Sequence, residues 1–168
     1  QVFYNKEDQW TRPNEIFYQD KTRVEPYYTI MRLPGVDKEE FVLLMPFTPV
    51  GKDNISAWMC ARSDGDRYGQ LLVYRFPKKR LIYGPLQIEA RIDQDPEISR
   101  QFTLWSQKGS QIIRGNMLVV PIAGSLLYVE PIFLKAEKGE IPELKRVIVS
   151  SGDKVVMAES IDEALAAL

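Results

Sequence analysis

From Met117 to Leu134 the chain runs for 18 residues with a single charge, Glu130. That is nominally long enough for a membrane-crossing helix. Its punctuation points elsewhere. Pro121 and Pro131 would each remove a helical hydrogen bond, Gly124 and Ser125 fall at the middle, and Val119, Val120, Ile122, Val129, Ile132 and Phe133 are β-branched or aromatic. Two strands joined by a tight turn account for all of these residues. The pattern therefore predicts a hairpin, Ile112 to Pro121 against Ser125 to Lys135, at the centre of the core and turning around Ala123 and Gly124. Glu130 then sits within an apolar strand, where it must face water or find a partner, because an unpaired buried carboxylate is costly.

The same reading extends to other segments. Tyr27 to Leu33 and Glu40 to Phe47 read as strands around a Pro34-Gly35 turn, the second so continuously apolar that burial on both faces is expected. Asp53 or Asn54 is positioned to cap a short helix reaching about Arg62, with Ile55, Trp58, Met59 and Arg62 at helical spacing. Tyr68 to Phe76 reads as a strand. Pro85 opens a segment whose pattern over Leu86 to Asp93 fits helix or strand. Asp95, Pro96 and Glu97 are a clear helix start, and that helix should stop before Gly109. Leu144 to Ser150 and Lys154 to Ala158 form a further hairpin, and Ser160 with Glu163 makes a capping box for a terminal helix. Residues 1–25 are polar with scattered aromatics and read as an irregular segment with one or two helical turns. The fold class expected is α+β: a largely antiparallel sheet built from hairpins, with short helices packed on one face, in a single soluble domain over residues 1–168.

Composition narrows the chemistry. With 22 Lys+Arg against 23 Asp+Glu the net charge is −1, which argues against nucleic acid or an anionic membrane as a partner. There is no histidine, so Ser-His-Asp and Cys-His catalysis, histidine bases and histidine zinc sites are all excluded. The single cysteine, Cys60, can form neither an internal disulfide nor a four-cysteine zinc site, and its neighbours Met59 and Ala61 suggest a buried thiol. No phosphate-binding loop or other cofactor motif appears, and no cofactor is expected.

The densest polar constellation is Glu89, Asp93, Asp95 and Glu97 within PLQIEARIDQDPE. On a helix Glu89 and Asp93 stand four residues apart, a repulsive pair unless a cation intervenes, so the cluster could hold Ca²⁺ or Mg²⁺ or poise a general acid for hydrolysis. A structural account serves equally: Asp95 caps, Glu97 meets the helix dipole, and Glu89 and Asp93 are solvated. The structural account is preferred. These four residues remain the weak metal-site candidates, and no catalytic residue is assigned.

The segments RLPG (Arg32 to Gly35), MPFTP (Met45 to Pro49), ARSDGDRYGQLLVYRFPK (Ala61 to Lys78), YGPLQIEARIDQDPEIS (Tyr83 to Ser99), SLLYVEPIFLKAE (Ser125 to Glu137) and PELKRVIV (Pro142 to Val149) resemble, in order, Uncharacterised Protein Family 0182. The resemblance implies bacterial multi-pass membrane proteins in which N-terminal transmembrane helices precede a large soluble region. It implies that this chain, which begins at Gln1, is an excerpt of that region, outside the cytoplasm and tied to the membrane by helices beyond the excerpt. A non-catalytic role in assembly, self-association or binding an unknown protein partner is expected, with a carboxylate-dependent hydrolase as the alternative. The resemblance supplies no site residues.

Overall fold

A computed structural model describes residues 9–168 apart from positions 78, 108, 123, 124, 138 and 140. In chain order the strands are β1 (Trp10–Thr11), β2 (Asn14–Phe17), β3 (Asp20–Arg23), β4 (Tyr27–Arg32), β5 (Glu39–Pro49), β6 (Ala57–Arg62) and β7 (Leu71–Arg75). Helices α1 (Pro85–Gln94) and α2 (Pro96–Trp105) follow, then β8 (Ser110–Arg114), β9 (Leu118–Ile122), β10 (Ser125–Ala136), β11 (Glu143–Ser151), β12 (Lys154–Ala158) and α3 (Ile161–Ala167). The class is α+β, and every registered strand pairing is antiparallel. The described residues pack as two compact units, those up to Pro13 with Arg23–Gly84, and Asn14–Thr22 with Pro85–Leu168.

In the first unit β5 is the spine. β6 pairs along one edge, β4 and the short β1 along the other, and β7 lies outside β6. One face carries Met31, Leu33, Val42, Leu44, Trp58 and Cys60, with Tyr74 stacked on Trp58 at 4.3 Å between ring centroids. Two expectations are corrected here. The segment read as a helix to Arg62 is strand β6: the helical spacing of Ile55, Trp58 and Met59 coincides with a period-2 burial of Trp58, Cys60 and Arg62, and pairing on both edges decides for strand. β5 is central as expected, but only one of its faces is buried. Val42, Leu44, Pro46 and Thr48 point into the core, whereas Phe41 is exposed and Leu43 and Met45 are half-buried.

In the second unit β10 is the spine, flanked by β11 and β12 on one side and by β8 and β9 on the other. The expected hairpin is present. Leu118 pairs with Val129 and Arg114 with Ile132, with a one-residue shift between the two stretches that leaves Gly115, Asn116 and Met117 as a bulge. The turn assigned to Ala123 and Gly124 lies outside the described residues. Helices occupy both faces of this sheet, not one. Arg114 meets Asp93 of α1 and Phe102 of α2 on one side, while Ala164 of α3 packs with Val129, Val147 and Val149 on the other. Among the described residues no helix is long and apolar enough to cross a membrane.

Local signals explain the helix ends. Asp95 Oδ1 accepts from the Glu97 and Ile98 amides, both at 3.0 Å, with Pro96 in the first turn. Ser160 Oγ accepts from the Glu163 amide at 3.2 Å, and the Glu163 carboxylate accepts from the Glu159 amide at 3.3 Å. The N-terminal segment departs from expectation. From Trp10 to Arg23 it forms three short strands rather than helical turns, and residues 1–8 lie outside the described residues.

Candidate functional site

The polar interior of the second unit is organised by Arg114, at the end of β8. Its Nε and Nη2 donate to the two carboxylate oxygens of Glu130 at 2.6 and 2.9 Å, and Nη1 donates to Asp93 at 2.7 Å. Glu130 is 1% exposed, so the partner demanded by its sequence context is Arg114, which the sequence did not single out. The guanidinium also lies 5.9 Å from the centre of the Phe102 ring. Burial works against the charge of Arg114, but the hydrogen bonds and charge of Glu130, with Asp93 behind them, hold its proton more firmly than usual. Burial likewise raises the proton affinity of Glu130, which the facing guanidinium opposes. Two-pronged contacts of this kind are those of a carboxylate, and arginine does not surrender its proton, so the pair is ionic.

Two more carboxylates complete the cluster. Glu15 of β2, 1% exposed, accepts from the Met117 amide at 2.8 Å and from the Asn116 side chain at 3.1 Å, which fixes the β8–β9 bulge. Glu89 of α1, 2% exposed, accepts from the Ile16 amide at 2.8 Å through Oε1, while its buried Oε2 has no hydrogen-bond partner among the described residues. Burial pushes the Glu89 carboxyl up to about 8, against the Ile16 amide and Arg114 and with the help of Glu130 and Glu15. Glu89 is thus a neutral acid at pH 7.

These positions settle where the sequence candidates stand. Glu89 and Asp93 share α1 but diverge: Glu89 turns inward with Ile88 and Ile92, and Asp93, 57% exposed, reaches Arg114 at the rim. The expectation that both are solvated is corrected for Glu89, whose helical position matches the buried stripe of Pro85, Ile88 and Ile92. Asp95 is consumed by capping. Glu97 lies on the surface, paired with Arg100 at 2.7 Å and Gln101 at 3.1 Å. The four do not converge on one point, and among the described residues no group of three or more histidine, cysteine or acidic side chains is arranged to hold a metal ion. Cys60 is fully buried in the first unit, and burial raises its thiol above the ordinary value, away from the reactive thiolate.

Two open apolar features remain. In the second unit a cleft of about 480 Å³ is lined by Phe17, Tyr18, Gly115, Leu118, Pro131 and Phe133. Gly115 is required at its floor, since a Cβ there would sit 2.7 Å from Pro131 Cγ. Tyr18 has φ of 60°, a left-handed conformation unusual for a bulky residue, and its amide donates to the Arg114 carbonyl at 3.1 Å. In the first unit the sheet face opposite the core carries Tyr28 (60% exposed), Ile30 (68%), Leu71 (62%) and Val73 (52%). There Tyr28 stacks on Phe41 at 4.9 Å.

Comparison with known proteins places the chain. The sequence profile of an uncharacterised protein family, UPF0182, matches residues 1–105. The chain belongs to this family. It is 62% identical over 165 residues to the UPF0182 protein of Trichodesmium erythraeum, 58% over 165 residues to that of Pelotomaculum thermopropionicum and 59% over 165 residues to that of Geobacter sulfurreducens. Each comparison covers 98% of this chain but 18% of the relative, so the chain spans under a fifth of the length of the UPF0182 proteins it matches. No solved structure matches it.

Proposed function

We propose that this portion of the UPF0182 protein is a non-catalytic, extracytoplasmic part of a membrane protein that serves assembly or partner binding. The observation that carries the reading is a division of labour among side chains. The charged residues that could do chemistry are engaged in the interior or at helix ends: Arg114 with Glu130 and Asp93, Asp95 as a cap, Glu97 with Arg100. The accessible surface of the first sheet is instead an apolar face, and faces of that kind mark interaction sites. A buried neutral acid such as Glu89, 2% exposed, has no access to substrate, so its raised proton affinity belongs to the interior rather than to general-acid catalysis.

The reading is tested in the full-length protein by charging the open face. Ile30→Lys combined with Val73→Lys alters side chains that are already exposed, so folding of this portion should survive. The expected result is reduced accumulation of assembled protein in the membrane with unchanged protease resistance of the segment itself. Normal accumulation would refute the reading. The extracytoplasmic placement is tested separately with Ile141→Cys, 81% exposed, with labelling of the unsubstituted full-length protein as the background. A membrane-impermeant maleimide should label Ile141→Cys in intact spheroplasts. Labelling only after lysis would refute it.

A further inference from the structure

The open face of the first sheet is unlike an ordinary solvated sheet face. Facing residues on successive strands meet in register: Tyr28 stands opposite Leu43, Leu43 opposite Ala61, and Ala61 opposite Leu71, while Met45, Met59 and Val73 form the neighbouring row. Charges come in only beyond these rows, at Arg32, Glu39 and Arg75. An antiparallel sheet with one solvated face should alternate apolar and polar residues, and β5 does not. Its sequence EFVLLMPF is that of a strand buried on both sides, yet one side is open among the described residues.

We infer, building on the partner-binding reading above, that this face is permanently covered by a segment of the same polypeptide that lies outside Gln1–Leu168. The length of the protein selects this occupant: the chain is 18% of the length of its relatives, so most of a UPF0182 protein is available to supply the cover. A tethered segment is favoured over a separate molecule because its docking is intramolecular and gains a high effective concentration. The cover is expected to present an apolar stripe of its own, since the rows contain no charged group for it to pair with.

The test places a photo-crosslinking amino acid, p-benzoylphenylalanine, at position 73 in the full-length protein, and at position 30 in a second variant in case either disturbs folding. Both are irradiated in native membranes. The expected product runs at monomer mass, and its peptides join the Leu71–Arg75 or Tyr27–Arg32 strand to a sequence outside the 168 residues. Single Val73→Cys and Ile30→Cys variants should correspondingly lose reactivity with a hydrophilic maleimide in the native protein and regain it in urea. A product of doubled mass, or one joined to another protein, overturns the intramolecular cover while leaving the partner-binding reading intact. A lipid adduct, a crosslink to residues 85–168, or full maleimide labelling without any crosslink overturns both.

Discussion

Glu89 makes the stability of the second unit depend on pH in a direction opposite to that of most carboxylates. Its carboxyl is pushed from 4.5 up to about 8, so between those values the folded unit binds a proton that the unfolded chain has released. Stability therefore falls as pH rises, by at most about 1.4 kcal/mol per pH unit. The contribution is complete below about pH 4.5, declines through the interval and is gone above about pH 8, so between pH 6 and pH 9 the loss is roughly 3 kcal/mol. Burial sets this sign, and Glu130 from β10 and Glu15 from β2 add to it; the Ile16 amide and Arg114 from β8, the latter already engaged with Glu130, favour ionisation but do not overcome it.

The assay is urea unfolding at pH 6, 7, 8 and 9, followed through Trp105, the tryptophan of α2. A Trp10→Phe/Trp58→Phe background silences the first unit. With no histidine in the chain, no imidazole titrates in this window. Glu89→Gln removes the titration and retains an acceptor for the Ile16 amide, but it places an amide N–H₂ where Oε2 now has no partner, costing about 1–3 kcal/mol. The variant should be less stable than the parent at pH 6, insensitive to pH, and more stable than the parent at pH 9. A parent whose stability is flat from pH 6 to 9, or a variant curve parallel to it, would refute the argument.

Three further outcomes follow from geometry. Arg114→Met alone should cost about 3–5 kcal/mol in the same unfolding assay by stranding Glu130, and adding Glu130→Leu should recover most of that loss. Asp95→Ala should lower stability by about 0.5–2 kcal/mol whereas Asp95→Gly costs only a few tenths, a contrast that a cap predicts and a metal ligand does not. Gly84→Ala should destabilise the first unit by about 3 kcal/mol or more, read from Trp58 fluorescence, because its Cβ would fall 1.9 Å from the backbone oxygen of Asp53, which cannot swing aside as a flexible side chain would.

What could be read from the sequence was what is decided locally. Asp95 and Ser160 cap helices because their partners are two or three residues away, and the Ile112 to Lys135 hairpin declared itself through proline, glycine and β-branched residues within one stretch. β6 was misread because a six-residue segment carries too few turns for period 3.6 to be separated from period 2, and its strand state depends on β5 and β7 on either side. The strands between Trp10 and Arg23 were missed for a related reason: β1 exists through Pro49 and Thr48, far along the chain. At the cluster, Glu130 was flagged by its apolar neighbours. Arg114 sits beside Ile112 and Ile113 and could have been flagged by the same rule. The burial of Glu89 was latent in its helical alignment with Ile88 and Ile92, but a pattern that fitted strand as well concealed it.

The two units place their buried charges in the same way, which bears on what those charges are for. In the first, Arg62 stands opposite Val42 and pairs with Glu40, two residues along the neighbouring strand. In the second, Arg114 stands opposite Ile132 and pairs with Glu130, again two residues along. Desolvation offsets most of the Coulombic gain of such pairs, so apolar residues of similar volume would stabilise the sheets as well or better. Register is a different matter. A one-residue slip turns the apolar set to the wrong face, but a two-residue slip preserves every face. In one direction that slip puts four residues, about 13 Å, between guanidinium and carboxylate, which breaks the pair and in the second unit strands the buried Glu130. The ion pairs thus reject an alternative that the apolar pattern tolerates, and they matter most in sheets rich in interchangeable Val, Ile and Leu. Charges fixed by this requirement are committed to holding each sheet in register.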